Sequence, residues 1–427
     1  MPPVTSKRLR PLKTSTGAMS SLRLLSESVH AKLDLLAGGT GAFGLAVSGG
    51  GDSIALMHLV KDWSRGRRIM VATVDHRLRP ESAAEARQVA LWAAELDLPH
   101  ETLIWHDPTM PGNIMANARN ARLDLLADWA RRNDLPAIAL GHTADDLAET
   151  LLMRLNRGAG IDGLSAMAGR RHSHGIDWLR PLLNTRRSEL RDWLREHEIS
   201  WLDDPSNDNP DYHRIRIRQA ISATGLSVES LAQSAQNLTE AREALSHYAL
   251  QIAKTASIQN ASLTFPLQGF AEAPSEIRRR LLIAACRWIT GADYAPRRKT
   301  VQHALEGIQD DKRVTLDGAL IVPSRGALRI QREPAAAILA ASGQTVWDNR
   351  WQISGLQQGQ HVAALGNRAQ PGLNRRESGL SHDEAAASPA IWAGTTLVAA
   401  PLLDGDRRFT MIPIRNADDF LRLVMVH

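Results

Sequence analysis

Short apolar runs alternate with amphipathic helical patterns between residues 44 and 158, and this alternation restricts the fold more than any other feature. It is typical of a parallel sheet covered by helices, because parallel strands need a long crossover connection. The predicted strands are Gly44–Val47, Ile69–Asp75, Thr102–Trp105 and Ala137–Gly141. The predicted helices are Asp52–Trp63, Glu81–Leu96, Ile114–Asn133 and Asp145–Leu155. The expected fold class is α/β, with a doubly wound parallel sheet.

The strand–helix alternation stops after about residue 216, and a chain of 427 residues usually forms more than one domain. Long helical patterns follow, and then a hairpin around the turn Pro323–Gly326. The predicted segments are a basic, disordered tail (1–20), a catalytic domain (21–220), a mainly helical domain ending in the hairpin (221–333) and a small β-containing C-terminal segment (334–427).

The composition excludes several classes of protein. No stretch approaches the roughly 20 consecutive apolar residues of a membrane helix, and no apolar segment follows the basic start, so we expect a cytoplasmic protein without an anchor or secretion signal. Cys286 is the only cysteine and lies in an apolar run, which is typical of a buried core thiol. A disulfide within the chain and a CxxC pair are therefore excluded.

The segment Ser48-Gly49-Gly50-Gly51-Asp52-Ser53 follows the first predicted strand and opens the first helix. Backbone amides and a helix N-terminus converge on an anion in such a loop. It is not a Walker A loop, because it contains no Gly-Lys-Ser/Thr. The alternative interpretation is a glycine turn in which Ser48 and Asp52 only cap the helix.

Two further polar segments follow predicted strands, Asp75–Ser82 and Gly141–Thr150. Ligands of doubly wound sheets bind outside the carboxyl ends of the strands. Helical spacing brings Asp146, Glu149 and Thr150 to one face, and this face is expected to border the nucleotide pocket. The alternative is that the acidic side chains only favour the positive end of a helix.

The order of these motifs resembles the tRNA(Ile)-lysidine synthetase family of PP-loop ATP pyrophosphatases. The matching segments are Ser48–Ser53, His76–Arg79, His142–Thr150, Arg157–Met167, Arg180–Leu182 and Asp204–Asn207. The resemblance is strong over residues 40–220, weak as far as Glu333 and absent beyond. Three departures stand out: Met115 replaces an acidic residue, Leu123 a tyrosine and Thr143 the second histidine of a pair, whereas Arg119 and Arg122 are retained.

The resemblance implies an adenine nucleotide α-hydrolase-like sheet and a defined reaction. ATP adenylates the wobble cytidine in the CAU anticodon of tRNA(Ile), free L-lysine then attacks C2, and the lysidine that forms changes codon specificity from AUG to AUA. ATP is expected at Ser48–Ser53, with Asp52 holding Mg²⁺. Asp146 is expected to anchor or deprotonate lysine, with His142 beside it and Arg119 steadying a phosphate or the adenylate. A homodimer is left open.

Basic clusters provide the predicted tRNA-binding residues, which are Arg214, Arg216, Arg218, Arg278 and Arg279. A net charge of +5 and a pI near 9.6 agree with a polyanionic partner. Each cluster taken alone is more typical of a solvated surface, and it is the presence of several clusters beside the predicted catalytic domain that favours RNA.

Three other functions remain as alternatives. A PP-loop tRNA thiolase that uses paired cysteines, or a cluster held by cysteines, needs thiols that this sequence lacks. A synthetase of the amidotransferase type leaves the basic helical domain unexplained. A silent RNA-binding protein is the third alternative, and the retention of Asp52 and Asp146 argues against it.

Overall fold

The computed structural model describes residues 16–39, 41–77, 80–106, 114–203, 213–366 and 378–425. For residues 16–22, 114–116 and 119 it describes the backbone alone. The chain forms two compact units, unit 1 (Met1–Thr239) and unit 2 (Glu240–His427). Of the predicted tail, residues 1–15 lie outside the described residues, and the division into four segments stays a prediction.

Unit 1 is built on a six-stranded sheet with the order β3-β2-β1-β4-β6-β5. The strands are β1 (Ala42–Ala46), β2 (Arg68–Asp75), β3 (His100–Ile104), β4 (Ala137–Leu140), β5 (Arg170–Ser173) and β6 (Ile176–Leu179). Every pairing is parallel except that of β5 with β6, which is antiparallel. The predicted α/β fold with a doubly wound parallel sheet is confirmed.

Helices cover both faces of this sheet. They are α1 (Thr16–Ala37), α2 (Gly51–Trp63), α3 (Ser82–Glu95), α4 (Ile114–Arg132), α5 (Ala144–Leu155), α6 (Ile161–Leu164), α7 (Arg187–Glu196), α8 (His213–Thr224) and α9 (Val228–Ala253), which contains the boundary with unit 2. Phe43 and Leu45 of β1 are fully buried in one core with Ile54 of α2. Ile138 of β4 packs with Trp129 of α4 in a second core. Strands buried on both faces in this way read as continuous apolar runs.

The strand order reverses at β1, which pairs with β2 on one side and with β4 on the other. Ligands of such sheets bind at this reversal, outside the carboxyl ends of the strands. β1 ends at Ala46 and β4 at Leu140. The glycine-rich segment and the segment beginning at Gly141 therefore lie at the position where a ligand is expected.

Unit 2 begins with an antiparallel sheet of order β7-β8-β11-β10-β9. Its elements are β7 (Ser257–Gln259), β8 (Ser262–Pro266), α10 (Leu267–Glu272), α11 (Ser275–Thr290), α12 (Arg298–Gln309), β9 (Val314–Leu316), β10 (Ala319–Ser324) and β11 (Ala327–Arg332). The predicted hairpin is present as β10 and β11, and the buried face of α11 packs on the sheet. Strands β7 and β8 were not predicted, because polar residues interrupt their short apolar runs.

The rest of unit 2 contains two three-stranded sheets, β12-β13-β17 and β14-β15-β16. Its elements are α13 (Pro334–Ile338), β12 (Val346–Trp347), β13 (Trp351–Ser354), β14 (Gln360–Ala364), α14 (His382–Ala386), β15 (Pro389–Ala393), β16 (Thr396–Ala399), α15 (Pro401–Asp404), β17 (Thr410–Pro413) and α16 (Ala417–Met425). In the part of the chain that the structure describes, none of the helices has the length and apolar character needed to cross a bilayer.

Candidate active site

The glycine-rich loop between β1 and α2 is stabilised by its own hydrogen bonds. The Ser53 hydroxyl donates to the Gly50 carbonyl oxygen over 2.9 Å and accepts from the Ser48 amide over 3.2 Å. Gly49 has a φ of +92°, and a Cβ atom there would lie 2.6 Å from Cδ1 of Leu202. Glycine alone suits this position, and the loop leads directly into the first turn of α2, whose backbone amides attract anions.

The end of β4 lies against this loop. A Cβ atom at Gly141 would lie 3.2 Å from the carbonyl carbon and oxygen of Asp52, so the close approach also depends on glycine. Two residues later, the amide and hydroxyl of Thr143 donate to Oδ2 of Asp146 over 2.8 and 3.0 Å. Thr143 therefore caps α5 and orients a buried carboxylate.

Arg187, at the start of α7, connects the loop to α5. Its Nε donates to Asp52 Oδ2 over 2.9 Å, Nη2 to Asp146 Oδ1 over 3.3 Å and Nη1 to Glu149 Oε1 over 3.2 Å. Its backbone amide donates to Asp145 Oδ2 over 2.8 Å. One arginine thus contacts four carboxylates that come from two different strand ends.

Glu149 has the most enclosed carboxylate of this cluster, with a side chain that is only 1% exposed. Besides Arg187, it accepts from Arg214 Nε over 2.6 Å and from Arg218 Nε over 2.9 Å. Arg214 also donates to Asp146 Oδ1 over 2.8 Å. A buried carboxylate needs charged or hydrogen-bonding partners, and these three arginines provide them for Glu149 in the protein interior.

The three α8 arginines that were predicted to bind tRNA lie on two faces of that helix. Arg214 and Arg218 are four residues apart and point to the same carboxylate, whereas Arg216 is exposed. Because cations and apolar residues alternate in this segment, the sequence analysis did not recognise that Arg214 and Arg218 lie on one face of a helix. A contact of these arginines with tRNA stays a prediction.

The other two predicted tRNA-binding residues, Arg278 and Arg279, are half-buried on α11 in unit 2. Arg279 donates from Nε and Nη2 to the two carboxylate oxygens of Glu276, each over 2.7 Å. Their contact with tRNA also stays a prediction.

The cluster perturbs its carboxyl groups in opposite directions. Burial raises the pKa of Asp52 above its usual value, and the nearby Arg187 only partly opposes that effect. Burial also raises the pKa of Asp146, but Arg214 and Arg187 outweigh it, so that this pKa falls below its usual value. Asp146 is therefore strongly held in its ionised form, and Asp52 accepts a proton more readily.

The remaining predicted catalytic residues are His142 and Arg119. His142 is half-buried at the end of β4 and lies close enough to Asp146 for its charge to lower the pKa of that carboxyl. Arg119 belongs to α4, but its side chain lies outside the described residues. On the same helix, Arg122 Nη2 and His76 Nε2 are 2.9 Å apart. The end of the His76–Arg79 motif and the whole Asp204–Asn207 motif also lie outside the described residues.

Within the described ranges, no group of three or more His, Cys, Asp or Glu residues is arranged to hold a metal ion. A Mg²⁺ ion that binds with a nucleotide needs only one or two protein carboxylates, because the phosphates provide other ligands. Asp52 suits this role, since its side chain is 21% exposed at the glycine-rich loop. Metal binding by Asp52 stays a prediction.

A cavity of about 310 Å³ adjoins the cluster on the side of α8. Asp145, Glu149 and Arg218 line one part of it, and Ile221 and Val228 line another. A cavity with charged and apolar walls accommodates a small molecule that has both kinds of surface.

Sequence reasoning missed Arg187 and gave Glu149 no catalytic role. Arg187 follows β6, and β6 was not among the predicted strands, so the rule of reading the residues after each strand was not applied there. The signal that was available is Arg186-Arg187 at the start of a helical pattern, shortly after Arg180-Pro-Leu182.

Comparison with known proteins identifies relatives of this chain. A family model described as the PP-loop domain matches residues 25–224. The tRNA(Ile)-lysidine synthase of Ruegeria pomeroyi is 42% identical over 395 residues, which cover 90% of this chain and 94% of that protein. The enzyme of the same name from Wolbachia pipientis wMel is 35% identical over 73% of this chain and 76% of its own length.

Among solved structures, a U34-tRNA thiolase from Methanococcus maripaludis has a TM-score of 0.44 and 14% sequence identity. The match covers 52% of this chain and 80% of the thiolase. It carries no conclusion about activity.

Proposed function

The chain belongs to the tRNA(Ile)-lysidine synthase family and is a ligase that uses ATP, and we propose that it joins free L-lysine to C2 of the wobble cytidine in the CAU anticodon of tRNA(Ile). The cytidine would first be adenylated by ATP, and AMP would leave when the lysine amine attacks. The lysidine that forms would change codon specificity from AUG to AUA. Because tRNA is cytoplasmic, we propose that the reaction occurs in the cytoplasm.

The observation that carries this proposal is the set of contacts made by Arg187. Its guanidinium group joins Asp52 of the glycine-rich loop to Asp146 and Glu149 of α5. A loop suited to phosphates therefore adjoins carboxylates suited to an ammonium group. Ligation of an amine to an adenylated base requires both features side by side.

ATP is proposed to bind with its phosphates at Ser48–Ser53. The turn at Gly49 and the first amides of α2 support this position, because they present backbone donors to an anion. Asp52 is the proposed ligand of a Mg²⁺ ion that accompanies the phosphates, and Arg119 is proposed to steady a phosphate or the adenylate. A cation near Asp52 would favour the ionised carboxylate against the effect of burial.

The lysine amine must lose a proton before it attacks. Its reference pKa near 10.4 makes deprotonation at neutral pH cost about 4.6 kcal/mol. The lowered pKa of Asp146 makes this carboxylate a weak base, and it therefore suits the anchoring of the ammonium group. His142 lies beside Asp146, and histidine is the side chain that ordinarily gains and loses a proton near neutral pH, so His142 is the proposed proton acceptor.

The test is a lysine-transfer assay. Purified protein, ATP, Mg²⁺, radiolabelled lysine and a tRNA(Ile) transcript with the CAU anticodon are mixed, and the label retained in RNA is followed. We expect transfer with the unmodified protein and its loss in Asp52→Ala. The matched control is Asp62→Ala, which removes an exposed carboxylate from the same helix.

Binding of tRNA without lysine transfer would contradict the proposal and favour a silent RNA-binding protein. Transfer of ammonia in place of lysine would favour a synthetase of the amidotransferase type.

A further inference from the structure

An exposed aromatic ring lies in the loop between α11 and α12 of unit 2. Tyr294 is 87% exposed, more than any other large apolar side chain among the described residues. Its neighbours in sequence are Asp293 and Ala295, and both are exposed as well. The ring therefore contributes nothing to a core, although tyrosine usually gains stability from burial.

Three consecutive cations, Arg297, Arg298 and Lys299, follow this tyrosine and begin α12. All three are exposed, and within the described part of the chain no carboxylate forms an ion pair with them. The first turn of α12 contains no acidic residue. Since the helix dipole disfavours cations at this end, these positions reduce helix stability and point to another role.

Hydrogen bonds from Arg287 of α11 fix the loop that contains Tyr294. Arg287 donates from Nε to the Ala292 carbonyl oxygen over 3.2 Å and from Nη2 to the Asp293 carbonyl oxygen over 3.0 Å. Pro296, at the other end of the loop, is buried. These contacts fix the backbone on both sides of Tyr294, which precedes the three cations by only three to five positions in the sequence, so a ligand would meet a preorganised surface.

We propose that Tyr294, Arg297, Arg298 and Lys299, which we call the Tyr294 surface, bind an unpaired nucleotide of the RNA substrate. The base stacks on the tyrosine ring, and the flanking phosphates contact the cations. An acidic protein segment or an anionic lipid would use the cations and gain little from a single ring, whereas a nucleotide uses both features. The identity of the RNA rests on the proposed function.

The first test measures the dissociation constant for the tRNA(Ile) transcript by filter binding. Stacking on an aromatic ring accounts for about fivefold to 100-fold in affinity per base, so Tyr294→Ala should weaken binding by that factor. Tyr294→Trp keeps a stacking surface and should bind within about twofold of the unmodified protein. Tyr248→Ala, which removes a half-exposed tyrosine from α9, is the matched control and should leave binding unchanged.

The second test measures the salt dependence of the same equilibrium. Replacement of Arg297, Arg298 and Lys299 by glutamine removes three phosphate contacts, and should reduce the slope of log affinity against log salt by about 2. The matched control replaces three other exposed cations of unit 2, Lys254, Arg325 and Arg407, in the same way. The control should keep the original slope.

An unchanged dissociation constant in Tyr294→Ala would overturn the proposal, even if the charge variant bound weakly. Equal effects of the charge variant and its control would also overturn it. Binding of tRNA by the unmodified protein without lysine transfer would contradict the proposed function alone, because both tests of the Tyr294 surface depend only on binding.

Discussion

The guanidinium group of Arg187 donates from Nε to Oδ2 of Asp52 over 2.9 Å, although 135 positions separate the two residues in the sequence. The contact joins the start of α7 to the glycine-rich loop. Burial raises the pKa of Asp52, and Arg187 opposes that effect. The ionisation of Asp52 therefore depends on a residue that belongs to none of the sequence motifs.

Arg187→Ala should abolish lysine transfer and destabilise the protein. The substitution leaves Asp146 and Glu149 with fewer cationic partners in a buried site, and removal of one partner from a buried ion pair costs about 3 to 5 kcal/mol. Urea unfolding measures the loss. Arg195→Ala, which removes an exposed arginine from the same helix, should change stability by less than about 0.5 kcal/mol. Equal stability of the two variants would contradict the buried cluster.

Asp52 and Asp146 should affect the pH dependence of stability in opposite directions. The raised pKa of Asp52 means that its proton contributes stability below the pKa of the unfolded chain, and this contribution is lost as the pH rises through the folded pKa. The lowered pKa of Asp146 gives stability above the unfolded pKa, which is lost as the pH falls through the folded pKa. Urea unfolding of Asp52→Asn and Asp146→Asn across the acidic range tests this. If both substitutions changed the pH dependence of the free energy of unfolding in the same direction, the direction given for one of the two pKa values would be wrong.

Gly49→Ala should weaken ATP binding. The residue has a φ of +92°, and its new Cβ atom would lie 2.6 Å from Leu202, so the loop must change shape. We expect the dissociation constant for ATP, measured by calorimetry, to rise about tenfold, which corresponds to about 1.4 kcal/mol. Gly225 also has a positive φ, of +67°, but a Cβ atom there would meet open space. Gly225→Ala should therefore leave ATP binding unchanged. Equal effects of both substitutions would indicate general backbone strain.

Thiol reagents should leave lysine transfer intact. Cys286 is buried, its Sγ donates to the Leu316 carbonyl oxygen over 3.2 Å, and burial raises the pKa of the thiol to about 12. At pH 8 only about one thiol in 10,000 is ionised, so the folded protein should react slowly. A colorimetric thiol assay on folded and urea-unfolded protein measures this difference. Fast reaction of the folded protein with the thiol reagent, accompanied by loss of lysine transfer, would favour a thiol-dependent function instead.

Arg218→Gln and Arg216→Gln should have different effects, because the two arginines lie on different faces of α8. Arg218 donates to Glu149 over 2.9 Å, so its loss should lower kcat with little change in tRNA affinity. Arg216 is exposed, and if it contacts phosphate its loss should weaken tRNA binding and reduce the salt slope by about 0.9. Steady-state kinetics and filter binding measure both quantities. A loss of tRNA affinity in Arg218→Gln together with a lower kcat in Arg216→Gln would contradict this assignment.

The sequence predicted the parts of the fold that depend on local pattern. β1 and β4 are apolar runs, with Gly49 three residues after the end of β1 and Gly141 directly after β4, and both strands were predicted to within two residues. β5 was missed because Arg170–Ser173 is a polar strand at the edge of the sheet, where water accepts polar side chains.

The candidate site was predicted less completely, because its contacts join distant segments. Asp52 and Asp146 were found from strand-end motifs, but their shared partner Arg187 follows a strand that was not predicted. Arg214 and Arg218 were interpreted as phosphate contacts, since cations near the surface of a basic protein suggest RNA. Their carboxylate partner, Glu149, is identified only when α5 and α8 are packed together.

The ion pairs around Glu149 also bear on how tightly this protein would hold a free amino acid. An ammonium group that enters the cluster exchanges partners with arginines already present, so it gains only the difference between two sets of contacts. Under the proposed function, the cluster would therefore bind the lysine ammonium group weakly and reversibly. Its occupancy would then follow the concentration of the free amino acid around the protein.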